Sequence, residues 1–317
     1  MTTTGSSPAA GGLVVDELQG ARPASIWRDT LGNLRRQRNA VFGGSILLFF
    51  VAVAFLAEPI ATHDPTAILI GVEDGVKKLA PPCIHLLGCP ESQVQHFFGI
   101  DGNVRDVFSR VVYGTQISLR IGFLTVGFAI VIGTLIGSLA GYAGGKLDNL
   151  LMRLMDVLLA FPALLLAIAI VTTLGTGLLN AQLAIGIVAI PIYARIMRAS
   201  VLSIRERDFV TASRALGESS FGLLARRIIP NALTPLIVQG TLGIADAVLS
   251  VAALSFLGLG AQPPDAEWGS MIGLARNSMF AAPHLVIFPG IALALTVLGF
   301  NLLGDGLRDA LDPRLNR

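Results

Sequence analysis

Long apolar runs, not short-period alternation, set the hydrophobic pattern of this chain. Six stand out: Val41–Ile60, Ile121–Tyr142, Leu154–Thr173, Leu183–Met197, Leu233–Leu257 and Leu285–Leu303. As helix, about 20 residues at about 1.5 Å each cross a bilayer core of about 30 Å. Pro162 lies inside the third run. Pro191 interrupts the fourth, whose helix is expected to continue toward Ile204. A β-barrel would show alternating segments of about ten residues instead. The pattern predicts an all-α integral membrane protein with about six transmembrane helices.

One segment between the fourth and fifth runs breaks the pattern. Thr211–Leu236 reads TASRALGESSFGLLARRIIPNALTPL. Embedding Arg214, Arg226 and Arg227 in lipid would cost about 2.5–3.5 kcal/mol each. Phe209, Ala212 and Leu216 nevertheless sit at i, i+3 and i+7, an apolar stripe on one helical face. Gly217 suits a left-handed C-cap. Ser219 and Ser220 are candidate N-caps for a second short helix carrying Leu223, Leu224 and Ile228. Pro230 suits the start of the fifth span. Two short amphipathic helices need their apolar faces covered. Packing on the bundle or the lipid interface is one cover; a soluble docking partner is another.

Composition strengthens the membrane reading. Of the 317 residues, 53% are hydrophobic and only 14% charged, against about 25% charged in a soluble domain. Mean hydropathy is +0.70. The net charge of +2 says little, but its distribution gives orientation. Most of the 23 Lys and Arg fall on one side. They include Arg22, Arg28, Arg35, Arg36 and Arg38 before the first run, Lys146 and Arg153, the seven arginines from Arg195 to Arg227, and Arg308, Arg314 and Arg317. That side is expected to be cytoplasmic, with both termini inside. No basic stripe interleaved with aromatics points to nucleic acid. The first apolar run begins only near Val41, so it is read as an uncleaved span, not a signal peptide. The organisation expected is a partly disordered cytoplasmic segment 1–40, a first span 41–60, an extracytoplasmic loop 61–116, a core 117–307 and a cytoplasmic tail 308–317. A second outer loop spans about 258–283.

Candidate chemistry is sparse. The nearest approach to a phosphate-binding loop is Gly145-Lys146, with Leu147 where a Mg²⁺-coordinating Ser or Thr would stand. No nucleophile–base constellation appears. Gly133, Gly137 and Gly141 are spaced four apart, a pattern that lets helices approach closely in lipid. Their partner is either this bundle or a second subunit. Asp246 is the one acid near the middle of a span. It is expected to face the bundle interior and to serve either the pathway or a structural hydrogen bond. Cys83, His85, Cys89 and His96 allow three readings: a disulfide between Cys83 and Cys89, two free thiols, or a Cys₂His₂ zinc site with unusual spacing.

These residues carry a family resemblance. Thr211-Ala212-Ser213, three residues, Gly217 and then Ile229-Pro230 resemble the cytoplasmic "EAA" loop of binding-protein-dependent ABC importer permeases. Thr211 replaces the usual glutamate and Ser213 the second alanine. HFFGIDGNVRDVFSRVVYGTQISLRIG (His96–Gly122) resembles the family's FGTDxxGRDxxSRxxYGxRxSL, with Val104 in place of its glycine. LSFLGLGAQPPDAEWGSMI (Leu254–Ile272) and NLLGDGLRDALDPRL (Asn301–Leu315) resemble motifs of the "C" permease of dipeptide, oligopeptide and nickel importers. The resemblance covers about Phe97 to the C-terminus.

The resemblance implies a type I ABC importer permease of the prokaryotic plasma or inner membrane. It would pair with a homologous second permease, two ATPase subunits holding ATP and Mg²⁺, and an extracytoplasmic binding protein delivering peptide. The chain itself is expected to be no enzyme and to hold no cofactor or metal. The ATPase would dock on residues 208–230 of a cytoplasmic coupling loop 205–230, at Phe209, Thr211, Ala212, Ser213, Leu216, Gly217, Phe221, Leu224, Ile229 and Pro230. Nickel or another small solute is the alternative cargo within the family. A stand-alone secondary transporter would predict paired broken helices and several buried ionisable groups, and only Asp246 stands out. A membrane enzyme would need a polar cluster at one face.

Overall fold

A computed structural model describes residues 37–73 and 75–311, with Gly32, Leu34 and Arg35 ahead of them. Most of the expected disordered start, including Arg22 and Arg28, lies outside the described residues, as do Arg36, Asp74 and the tail from 312 onward with Arg314 and Arg317. The regular secondary structure among the described residues is helical, joined by irregular segments with only isolated bridges. Five helices are long and apolar enough to cross a bilayer, and a bent pair supplies a sixth candidate.

Prolines account for several departures from the expected spans. Helix α1 is Arg38–Phe55, and a separate turn, α2, is Ala57–Ile60. The Val41–Ile60 run is therefore two pieces. The ring of Pro59 conflicts with continuing the helix past the carbonyl four residues earlier, at Phe55. The third run is broken more sharply. Helices α4 (Gly145–Leu159) and α5 (Ala163–Leu174) meet at 92°. Pro162 is the N-cap of α5 and disfavours helix at Phe161 before it. Pro191, by contrast, is tolerated within an unbroken α6, Leu178–Arg205.

Helix α3 runs from Val107 to Ala143, far longer than the Ile121–Tyr142 run. At about 1.5 Å per residue it is about 55 Å long, so it projects beyond the bilayer. Residues 107–116 thus belong to helix and not to the outer loop. Asp106 caps the helix, accepting the Ser109 N–H at 2.7 Å. Burial alone would raise the Asp106 carboxyl, but hydrogen bonds from His96 and Ser109 outweigh it and hold it below the usual carboxylate range.

The glycine stripe of α3 faces α6. A Cβ at Gly133 would lie 2.6 Å from Tyr193 Cβ, and one at Gly141 would lie 2.9 Å from the Arg198 carbonyl. The partner of this stripe is the chain's own helix. Ion pairs from Arg198 to Asp148 and from Arg195 to Asp156 gather α4 and the end of α6 at one end of the bundle. A bond from Arg205 to the Gly141 carbonyl adds the end of α3.

Helix α7 is Asp208–Ala215 and α8 is Ser220–Phe256. The expected second short helix is not separate. It runs into the fifth span through a π-helical section, Leu223–Ile228. Pro230 follows that section and lacks the N–H that would bond Arg226 four residues back; a widened turn accommodates it. Helix α9, Trp268–Ala275, lies in the second outer segment, with Trp268 fully buried and donating to the Val111 carbonyl. Helix α10, His284–Leu311, outruns the predicted sixth span and takes in the start of the expected tail.

The segments expected on the outer face are packed structures. Leu69, Ile100 and Val104 form a small core of their own. Val104 adopts φ +58°, a left-handed conformation costly for a β-branched residue, where the resembling motif has glycine. Its complete burial beside Leu69 and Ile100 offsets that strain.

Candidate functional site

The charged interruption folds as one anchored element. Helix α7 ends in a Schellman motif: the Glu218 N–H donates to the Ser213 carbonyl and the Gly217 N–H to the Arg214 carbonyl. Gly217 takes φ +86°, which favours glycine. Ser219 then caps α8, accepting the Gly222 N–H at 3.2 Å. Arg227 reaches back to Glu218 at 3.2 Å across the turn. The path of the chain is thus set by short-range bonds.

The anchor is not the predicted stripe. Val210, 0% exposed, inserts with Leu223 and Ile228 against Met197, Val201 and Leu236. Phe209, Ala212 and Leu216 face outward instead, with Phe209 41% and Leu216 89% exposed. Phe221 adds a third apolar side chain, 81% exposed. Thr211, Gly217 and Pro230 are also exposed, while Ser213, Leu224 and Ile229 are half-buried. Exposed Arg207, Arg214, Arg226 and Arg227 surround the patch. Val210 escaped the sequence reading because it sits next to Phe209, and one apolar neighbour gives no sign of which of the two faces inward.

Asp246 does not face the interior of this bundle. It is exposed on α8 and lines a groove of about 340 Å³ with Tyr193, Gln239, Ser250, Thr125 and Phe161. It makes no hydrogen bond or ion pair with the described residues. A mostly apolar groove with a few polar groups is a shape suited to a small ligand, and the bend at Pro162 helps open it.

The four residues of the possible zinc tetrad diverge. Cys83 and Cys89 are joined as a disulfide, with Cα atoms 5.3 Å apart. His85 turns to the Gln93 carbonyl at 2.8 Å. His96 points away, to Asp106 and Glu73.

Comparison with known proteins adds three findings. Residues 133–317 match the family model described as binding-protein-dependent transport system inner membrane component, and residues 25–82 match the N-terminal TM domain of oligopeptide transport permease C. The chain is 44% identical over 291 residues to the dipeptide transport system permease protein DppC of Alkalihalophilus pseudofirmus, covering 92% of this chain and 91% of that one. It is 41% identical over 289 residues to the glutathione transport system permease protein GsiD of Pectobacterium atrosepticum, covering 91% of each. Among solved structures, the inward-facing MetNI methionine ABC transporter aligns with TM-score 0.53 and 20% identity over 65% of this chain and 98% of that one, a likeness of fold.

Proposed function

Because the chain belongs to the family of binding-protein-dependent transport system inner membrane components, and is therefore the membrane-embedded permease subunit of an ABC importer with separate ATPase subunits, we propose that it carries peptides and is driven through α7 and the start of α8. The cargo reading rests on the relatives: dipeptide and glutathione permeases match nine-tenths of the chain. Nickel or another small solute is the alternative cargo. The further partners are a homologous second permease, whose groove would face that of Asp246, and an extracytoplasmic binding protein.

One observation carries the coupling proposal. Leu216 and Phe221 stand almost fully exposed on an element whose backbone is locked by Val210, the Schellman turn and the Ser219 cap. Isolated exposed apolar residues are ordinary, but apolar residues raised on a rigid, arginine-rimmed turn form a protein-docking surface. A rigid element transmits motion that a loose loop would absorb.

Replacing Leu216 and Phe221 together by serine tests it. Exposed truncations change stability by about 0.5 kcal/mol or less, so the variant is expected to melt like the parent. ATPase subunits that co-purify with the parent are expected to be lost, and uptake with them. Full ATPase recovery at normal yield sinks the docking assignment.

Asp246→Asn separates the two roles of the groove. If the carboxylate meets a peptide's amino terminus, uptake of free dipeptide is expected to fall about tenfold, the worth of about 1.4 kcal/mol, while an N-acetylated analogue is unaffected. Equal uptake of both by the variant and the parent removes Asp246 from the pathway. Competition by Ni²⁺, with none by dipeptides, overturns the peptide cargo.

A further inference from the structure

Three segments of the outer loop bring His63, Glu73 and His96 together, and the proposed transport function assigns them no role. His63 Nε2 lies 2.9 Å from Glu73 Oε1, and His96 Nε2 lies 3.1 Å from Glu73 Oε2. One ligand atom from each residue lies within 4.8 Å of the others. The two rings stack with centroids 5.0 Å apart, so both Nε2 atoms address the same carboxylate. His96 is buried and the other two half-buried.

The second ring nitrogens define the chemistry. Asp106 Oδ1 lies 2.9 Å from His96 Nδ1. The ionised Asp106 carboxylate, which also accepts the Ser109 N–H, can only accept, so His96 Nδ1 is the donor. In neutral imidazole the other nitrogen is then a bare lone pair, and it faces a carboxylate. Two acceptors then confront each other, a pairing that a proton on Nε2 or a metal cation in its place satisfies. An acidic residue holding Nδ1 while Nε2 binds metal is a recurrent second-shell arrangement.

We propose that His63, His96 and Glu73 bind one zinc-class divalent cation, with Asp106 orienting His96, and that this ion clamps the outer loop to the start of α3. Two imidazoles and a carboxylate favour zinc over the oxygen-seeking Mg²⁺ and Ca²⁺. At zinc–ligand distances of about 2.1 Å, neighbouring ligand atoms sit about 3.4 Å apart. The two contacts to Glu73, 2.9 and 3.1 Å, are a few tenths of an ångström shorter, and all three ligand atoms lie within 4.8 Å of one another, so modest side-chain rotation brings them onto one ion. His63 follows α2 directly, and His96 is paired through its backbone with Cys83 at 2.9 Å in both directions. The disulfide-closed turn thereby steadies one ligand without supplying any.

The test uses the intact transporter in detergent, stripped with chelator and titrated with Zn²⁺ alone. Parent complex is expected to regain about one more zinc than complexes carrying Glu73→Gln or His63→Gln, whose affinity falls at least about tenfold, and to melt higher when loaded. Asp106→Asn is expected to weaken binding about 10–100-fold, the usual second-shell effect. A Cys83→Ser/Cys89→Ser variant keeps the ion. Equal zinc in the parent and both ligand variants overturns the proposal, as does loss of zinc only in the cysteine variant. Should a ligand variant misfold, Co²⁺ replaces Zn²⁺ in the parent. Absorption bands of a nitrogen–oxygen site support the assignment, and a thiolate charge-transfer band, or no cobalt bound, refutes it.

Discussion

Gly137→Val is expected to prevent helices α3 and α6 from closing. A Cβ at Gly137 would sit 2.8 Å from the Met197 Cβ and nearer still to the Ala194 carbonyl. That carbonyl belongs to a helix backbone and has no rotamer with which to move aside. Valine adds two further methyls in the same direction, and overpacking of this kind costs about 1–3 kcal/mol or more. In lipid the loss is compounded, because close packing, not water exclusion, holds helices together. The yield of monodisperse protein and its melting temperature are expected to fall sharply. Gly127→Ala is the control on the same helix: nothing lies within 4 Å of its Cβ position, and alanine is the better helix former. Equal melting of the two variants would mean that the stripe does not set the packing.

Arg110→Ala is expected to release the outer segments from one another. Arg110 is almost fully buried at the start of α3. Its Nη1 donates to the Pro65 carbonyl at 2.8 Å and to the Pro264 carbonyl at 3.1 Å, and its Nη2 donates to the Asp265 carbonyl at 3.1 Å. One side chain thus ties the loop before α3 to the segment before α9. Alanine leaves three carbonyls without this donor, each loss worth about 1–3 kcal/mol if it stays buried. The expected readout is rapid proteolysis near residues 61–73 and 258–267 in outward-facing vesicles, with a lowered melting temperature. Arg110→Lys restores little, because an ammonium cannot reproduce the planar fork. Unchanged protease resistance in the alanine variant would refute the tie.

Much of this architecture is legible along the chain because the bilayer imposes a local requirement. A span needs an apolar length, and that length is visible wherever it occurs. The helix–glycine–helix turn is legible for a similar reason: Gly217 and Ser219 act on backbone groups within five residues of themselves. The outer part of α3 is not. Residues 107–116 are rich in polar side chains, and a window that weighs hydropathy ends the helix near Ile121. Those polar groups are satisfied by distant partners, as Arg110 is by residues 45 and more than 150 positions away. The facing of α7 is likewise hidden. Phe209 and Leu216 fit a stripe as well as Val210 fits a core, and only the position of Met197 and Leu236 decides between them.

By itself the sequence determined that the chain is an all-helical membrane protein with five or six candidate spans, where the charged interruption falls, and which permease family its motifs resemble. Each of these depends on near neighbours or on composition, so linear order preserves it. Tertiary structure alone decided that the glycine stripe serves α6, that Asp246 opens onto a lateral groove, that Leu216 and Phe221 stand outward, and that His63, Glu73 and His96 converge. These are meetings between segments separated by tens of residues. They depend on where helices cross and loops close, and no local pattern encodes them.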